Sequence, residues 1–568
     1  MKKFLFAILL VSLSILSSAV AQNARNAKIH DSLTRLQPGQ DVDVIVRFRD
    51  IPTEADLSRY AQQGRHKAHL PVIRSSAMTV KSDRLAALAD DPSVESIALD
   101  SPVRATTFTG GPDYGWMTVL DMLQTFGTLA YDGTGVGVAI LDTGIQTKAE
   151  LNNTAGASRI VYSQNFVTTE NTKQDLNGHG VHVAGIVGGN GSKSYQGSNT
   201  YWIRGIAPNV NLISLRVLDS NGSGQDSWVI SAIQTAIQLK SQYNIRVMNI
   251  SLGRPVSGPC ATDPLCQAVQ QAWQAGIVVV VAAGNEGRNN SAGTQGYGTI
   301  SAPGNSPYVI TVGALNTLDT LSRADDKITS YSSKGPTLFD HLVKPDLVAP
   351  GNRILSIQNV GSVLATSYPQ NDVPMTAYTT TGSTKAPVYY QLSGTSMAAP
   401  MVSGAAALML QKNPYLTPDQ VKAILMKTAV KFGQTTSQAT DPTTGVTYTS
   451  QNDLFTVGAG SLDAQAALNS TDLPTGSAQS PAVTFNSQTG VANLVLPSTA
   501  VWGSTAVWGT TAVWGTTAVW GTTAVWGTTA VWGTSGTQGF TAVWGTMALW
   551  GSSTPASEAL TLALNGEN

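Results

Sequence analysis

Charge is scarce in this chain: only 12% of its 568 residues are Asp, Glu, Lys or Arg, and 34 basic residues nearly cancel 35 acidic ones. No basic field is left over, so neither nucleic acid nor an anionic membrane is an expected partner. Long apolar runs are missing beyond the N-terminus, where Lys2 and Lys3 precede an apolar stretch from Phe4 to Leu16 and a small-x-small pattern, Ala19-Val20-Ala21. That order predicts an export signal over residues 1–21, and nothing later reaches the roughly 20 apolar residues of a membrane span, so a secreted, soluble chain is expected. Cysteine is scarcest, with two, Cys260 and Cys266, six residues apart around a turn. Export favours oxidation and predicts a disulfide between them, against the alternative of two free thiols packed as small hydrophobes. None of the six His lies close to them in sequence, and no metal site is expected there.

The length exceeds one ordinary domain, so a large core with appendages is expected. Residues 41–105 read as a small α+β unit. Val42 to Phe48, Ser76 to Val80 and Val94 to Leu99 form strands, and Thr53 to Gln63 and Ser82 to Asp90 form helices. From Gly135 the pattern becomes short, β-branched strands (Val136–Leu141, Val210–Val217, Arg246–Leu252, Ile277–Ala283, Val309–Val312) alternating with helices such as Asp226–Tyr243 and Asp263–Gln274. Alternation of this kind predicts an α/β fold whose mostly parallel sheet is covered on both faces, with its site at the carboxyl ends of the strands. After about Leu468 the character changes. Leu473 to Ser557 carries no charged residue, and Ala-Val-Trp-Gly-Thr-Thr repeats return tryptophan at 502, 508, 514, 520, 526 and 532, then at 544 and 550. A six-residue period keeps every Trp in one β phase, so the repeats predict either an adhesive ribbon or a low-complexity spacer.

Four segments carry chemistry. Gly137-Val-Ala-Ile-Leu-Asp-Thr-Gly144 ends an apolar strand on a carboxylate that can hold an imidazole tautomer. Asp175-Leu-Asn-Gly-His-Gly-Val-His-Val-Ala-Gly185 offers His179 as general base, with His182 read as a packed core imidazole; a zincin would place Glu at the position of Gly180. Val278-Val-Val-Val-Ala-Ala-Gly-Asn-Glu-Gly287 delivers Asn285, whose amide can donate to a developing oxyanion. Leu392-Ser-Gly-Thr-Ser-Met-Ala-Ala-Pro400 places Ser396 at a helix start, with Ser393 as the competing nucleophile.

The order Asp142, His179, Ser396 within these motifs resembles the subtilisin-like serine proteases, from about Ala130 to Ala467. The resemblance implies a secreted serine endopeptidase acting on protein and peptide substrates, with Asp142, His179, Ser396 and Asn285 as catalytic residues. It identifies Ser251, Leu252 and Gly253 in one substrate-binding edge, Gly222, Ser223 and Gly224 in the opposite edge, and Ser301 in the far wall of the primary pocket. With the signal at 1–21 and the Trp-repeat tail at 471–568 read from the pattern, it implies an inhibitory propeptide at 22–106, removed by self-cleavage between about Ala105 and Gly111, and a peptidase at 107–470. No cofactor is required. Calcium stays open, because the segment after Asp142 lacks the usual Asp ligands. Departures are Val181 between the two His, Met401 after Pro400, and an unexpectedly long Gly351–Gln391 segment ahead of the nucleophile. The rival readings are a surface-binding protein whose Trp repeats contact a surface or polymer, and an esterase; the Gly-x-Ser-x-Gly elbow is absent around Ser396.

Overall fold

A computed structural model describes residues 28–495, except 34–35, 62, 106–130, 195–201, 319, 321, 380–386, 442–443 and 487–490. The export signal, the Trp repeats and all but the first residue of the expected cleavage segment lie outside the described residues.

The first unit is an antiparallel sheet of β1 (Asp41–Phe48), β2 (Gly64–Leu70), β3 (Ser75–Lys81) and β4 (Val94–Leu99) in the order β2-β3-β1-β4. Alternation along β1 buries Val42, Val44, Val46 and Phe48 with Tyr60, Leu85 and Leu88 from the two helices, Glu54–Tyr60 and Leu85–Asp90. Thr53 and Asp56 close a reciprocal capping box on the first helix. The edge strand β2 carries Arg65, His66, Lys67 and His69, so it lacks an apolar alternation by which sequence could find it. A further strand, β5 (Pro102–Ala105), leaves this unit and joins the next.

The second unit is an eight-stranded sheet. Along it run β6 (Gly137–Asp142), β7 (Ile160–Asn165), β8 (Asn211–Arg216), β10 (Ile245–Ile250), β12 (Val278–Ala282), β13 (Ile310–Asn316) and β14 (Lys327–Ile328), in the order β14-β13-β12-β10-β6-β8-β7, with β15 (Leu347–Pro350) also on β13. All pairs are parallel except β13 with β14. β6 and β12 are buried at every residue, as strands covered on both faces must be. Two helix pairs pack with the sheet: Asp226–Tyr243 with Pro264–Gln274, and His179–Gly188 with Thr395–Lys412. Asp263 caps its helix ahead of Pro264, accepting from the backbone N–H groups of Leu265 and Cys266.

This body continues past residue 470. Ser480 Oγ donates to the buried Asp346 carboxylate at 2.6 Å and accepts from Lys422 Nζ at 2.9 Å. Pro481 O accepts from Val343 N, Val483 N donates to His341 O, and Ala482–Asn486 then forms a hairpin with Val491–Val495. The sequence analysis assigns this uncharged segment to the tail, yet its one hydroxyl joins a buried ion cluster of Lys344, Asp346 and Lys422. Among the described residues no helix is long and apolar enough to cross a membrane.

Candidate active site

Asp142 ends β6, and His179 opens the following Gly-rich helix. Both are wholly buried, with His179 Nδ1 at 2.6 Å from Asp142 Oδ1. The carboxylate partner assigns the proton to Nδ1 and leaves Nε2 as the acceptor. Nε2 has no hydrogen-bond partner among the described residues. Three groups fix this pair. Thr143 N donates to Asp142 Oδ1, Thr143 Oγ1 accepts from Gly180 N, and the same hydroxyl donates to Asp175 Oδ1. Asp175 in turn accepts from the backbone N–H groups of Asn177, Gly178 and Val181, so it caps the helix start that carries His179. Gly180 is obligatory, because a Cβ there would lie 2.1 Å from Gly144 O. His182 sits as a core imidazole, its Nε2 bonded to the carbonyls of Tyr390 and Ile354, and burial pushes its pKa down to about 3.

Ser396 is the second residue of the helix Thr395–Lys412, behind Gly394. Pro400 lies inside that helix and has no N–H for the Ser396 carbonyl one turn back. Ser251 replaces it: its Oγ donates to Ser396 O at 3.0 Å, while Ser396 Oγ donates to Ser251 O at 2.9 Å. Ser251 Oγ also accepts from Asn249 Nδ2, and Asn249 Oδ1 accepts from Ser403 Oγ. Ser251 was expected to meet substrate. Its side chain is wholly buried and bonded to the Ser396 carbonyl. Ser393 Oγ accepts from Arg353 N.

Asn285 follows β12 in the turn after Gly284. Its Oδ1 accepts from both Thr395 N and Thr395 Oγ1 at 3.0 Å, which fixes the acceptor end of the amide on the residue before Ser396 and turns Nδ2 away from it. Thr395 Oγ1 also accepts from Gly284 N, so the amide and the Thr395–Lys412 helix are locked together.

The two expected cleft edges are the strands β9 (Ser223–Gln225) and β11 (Leu252–Gly253), and β5 lies between them in a three-stranded antiparallel sheet. Arg104 pairs with Ser223 and Gly253, Val103 with Gly224, and Ala105 with Leu252, while Gly222 O accepts from Ala105 N. Val103 is wholly buried there. Ser301 stands between Gly253 and Gly284, where a Cβ on either glycine would meet it within 3 Å. Below the cleft Arg254 bonds Asp226 and Asp263, a buried cluster with no clear mark in the sequence.

The expected disulfide is not formed; Cys260 and Cys266 are free thiols. Cys266 is buried, its Sγ donates to Asn305 Oδ1, and burial together with the neighbouring Cys260 thiol pushes its own thiol well above the usual range. Among the described residues no three His, Cys, Asp or Glu side chains converge as for a metal ion.

The subtilase family model matches residues 133–460, more than half of the chain. The chain belongs to the subtilase family. It is a subtilisin-like serine endopeptidase, and catalysis in this family needs no cofactor. This subtilase is 35% identical over 404 residues to serine protease AprX of Bacillus subtilis (strain 168), covering 69% of this chain and 84% of that one. It is 38% identical over 304 residues to subtilisin DY of Bacillus licheniformis, covering 53% and 86%. Its fold resembles that of fervidolysin from Fervidobacterium pennivorans, with a TM-score of 0.56 at 20% identity, covering 82% of this chain and 66% of that chain.

Proposed function

We propose that Ser396 is the nucleophile of this endopeptidase and that His179 Nε2 takes its proton, held in the right tautomer by Asp142. Ser396 Oγ bonds to the scissile carbonyl carbon, the amine leaves with the proton from His179, and water then releases the acyl group by the same route. Asn285 Nδ2 and the Ser396 backbone N–H receive the oxyanion. The observation that carries this reading is the buried 2.6 Å Asp142–His179 bond with Nε2 left open. Ser396 Oγ is bonded to Ser251 O in this structure and leaves it to give its proton to that nitrogen. Catalytic hydrogen bonds are commonly longer or misaligned before substrate arrives. Replacing Asn285 with Ala should lower kcat by about 10²- to 10³-fold, the scale known for such a donor in subtilisin.

We also infer that the chain is exported, that residues 22–106 inhibit it, and that it releases itself. Support comes from β5, which fills both cleft edges as a substrate strand would. Asp100, next to it, accepts from Ser227 N and Ser227 Oγ at the start of the Asp226–Tyr243 helix, a charge well placed against the helix dipole. The pairing of β5 ends at Ala105 opposite Leu252, one residue short of Ser251, whose carbonyl holds Ser396 Oγ. That end of the pairing supports cleavage after Ala105 or after Thr106. N-terminal sequencing of secreted wild-type and Ser396→Ala protein tests this. Wild type should begin at Thr106 or Thr107, and the variant should keep residue 22 onward; the same N-terminus in both, with no other protease present, would refute self-processing.

A further inference from the structure

Asp175 is a second buried carboxylate beside the Asp142–His179 pair, and the acyl-transfer steps do not use it. It is 1% exposed. Burial foremost, and the charge of Asp142 with it, push its carboxyl above the ordinary range. Its hydrogen bonds nonetheless specify a carboxylate. Oδ1 accepts from Thr143 Oγ1 at 2.8 Å, Asn177 N at 3.0 Å and Gly178 N at 2.7 Å, and Oδ2 accepts from Val181 N at 2.9 Å. An asparagine would set its own NH2 group against one of those donors, so the site asks for a side chain that accepts through both atoms.

These bonds fix the direction of the Thr143 hydroxyl. Its oxygen accepts from Gly180 N at 2.8 Å, and its proton goes to Asp175. One atom therefore joins the end of β6, which carries Asp142, to both flanks of His179: Gly180 just after it and Asp175 in the loop before it. Thr143 N meanwhile donates to Asp142 Oδ1 at 2.7 Å, beside the 2.6 Å bond between that oxygen and His179 Nδ1. The two segments meet backbone to backbone, since a Cβ on Gly180 would lie 2.1 Å from Gly144 O. On its other side the stretch before His179 is held by the Gly351–Gln391 segment, where Asn359 Nδ2 donates to Asp175 O, Val363 N to Leu176 O and Leu364 N to Asn177 O. A general base displaced by about 1 Å can lose about a hundredfold in rate, so the atom that joins these segments bears on turnover and not on folding alone.

We propose that Thr143 and Asp175 are a positioning pair for the reaction: the Thr143 hydroxyl, aimed by the Asp175 carboxylate, sets the distance and angle at which Asp142 holds His179. The inference rests on the Ser396–His179 reading of the site. Its test compares mature wild-type, Thr143→Val, Thr143→Ser and Asp175→Asn enzymes for kcat and KM on a peptide p-nitroanilide and for the rate of fluorophosphonate labelling, each normalised to the fraction that labels at completion. Valine keeps the shape of threonine and lacks the hydroxyl, so kcat and the labelling rate should fall about a hundredfold with KM unchanged. Serine restores the hydroxyl and should recover most of that loss. Asp175→Asn should fall with Thr143→Val, and the double variant should be no worse than either single change, because the two residues act as one unit. Should Thr143→Val fail to fold or to process itself, a kcat lost in Asp175→Asn and kept in Thr143→Ser carries the same expectation. Wild-type kcat in Thr143→Val or Asp175→Asn, an effect on KM alone, or equal losses with valine and serine would overturn the positioning pair. Wild-type enzyme inert toward both peptide and probe would instead refute the site reading itself.

Discussion

Ser251→Ala should cost far more than the loss of one surface hydroxyl. Two buried groups depend on Ser251 Oγ: the Ser396 carbonyl, which Pro400 cannot serve, and Asn249 Nδ2. A buried polar group left without a partner costs about 1–3 kcal/mol, so the pair sets a loss of about 2–6 kcal/mol. Denaturant unfolding in a Ser396→Ala background, which cannot digest itself, measures this. A second substitution tests the cause. Pro400→Ala restores an N–H that can reach the Ser396 carbonyl, so the Ser251→Ala, Pro400→Ala protein should be more stable than the two single losses predict, by about 1 kcal/mol of coupling. With Ser396 intact, Ser251→Ala should also lower kcat, because the nucleophile's turn loses its anchor. A loss under about 0.5 kcal/mol, or strictly additive single effects, would refute the reasoning.

His182 should set an acid limit. Its folded pKa near 3 lies below the ordinary 6.5, so the unfolded chain binds a proton that the folded one excludes, and stability falls as pH drops from 6.5 toward 3. At pH 4 its share is about 3 kcal/mol, and a foldable His182→Gln variant should show a shallower acid limb in unfolding midpoints. Asp100→Ala should loosen the propeptide by about tenfold, seen as earlier appearance of peptidase activity after secretion of the full chain; an unchanged time course would remove Asp100 from the docking. Truncation after Leu468 removes Ser480 from the buried Lys344–Asp346–Lys422 cluster and should destabilise the enzyme, whereas truncation after Leu496 should keep peptide turnover and lose retention on insoluble protein. Equal retention by the Leu496 truncation and the full chain would sink the docking role of the Trp repeats.

The parts of the fold written as local pattern were legible. The apolar runs of β6 and β12 mark a covered parallel sheet, and Asp263-Pro264 marks a helix start to the residue. Legible too were the Asp142, His179, Ser396 and Asn285 motifs, because their glycines and small residues answer steric demands such as that at Gly180. What sequence did not reveal depends on long-range partners. Ser251 looks like a cleft residue in Asn249-Ile-Ser-Leu-Gly253, and only the gap left by Pro400, far along the chain, assigns its hydroxyl. Thr143 and Asp175 stand within the quoted motifs, but their bond crosses between two loops. The thiols of Cys260 and Cys266 are close in sequence, but the bond from Cys266 Sγ to Asn305 Oδ1 reaches far along the chain. Ser480 stands in the uncharged stretch assigned to the tail, and its partner Asp346 is 134 residues away.

The central claim is that Ser396 is a nucleophile activated by His179 rather than the capping residue of a helix. Labelling mature protein with a fluorophosphonate, followed by mapping of the modified peptide, tests it directly. The account predicts a single adduct on Ser396, slowed severely by His179→Ala and by Asp142→Asn, the latter by a factor on the order of ten thousand as in trypsin, and abolished by Ser396→Ala. An adduct on another serine, or a Ser396→Ala protein that still takes up the probe and cleaves peptide, would contradict it.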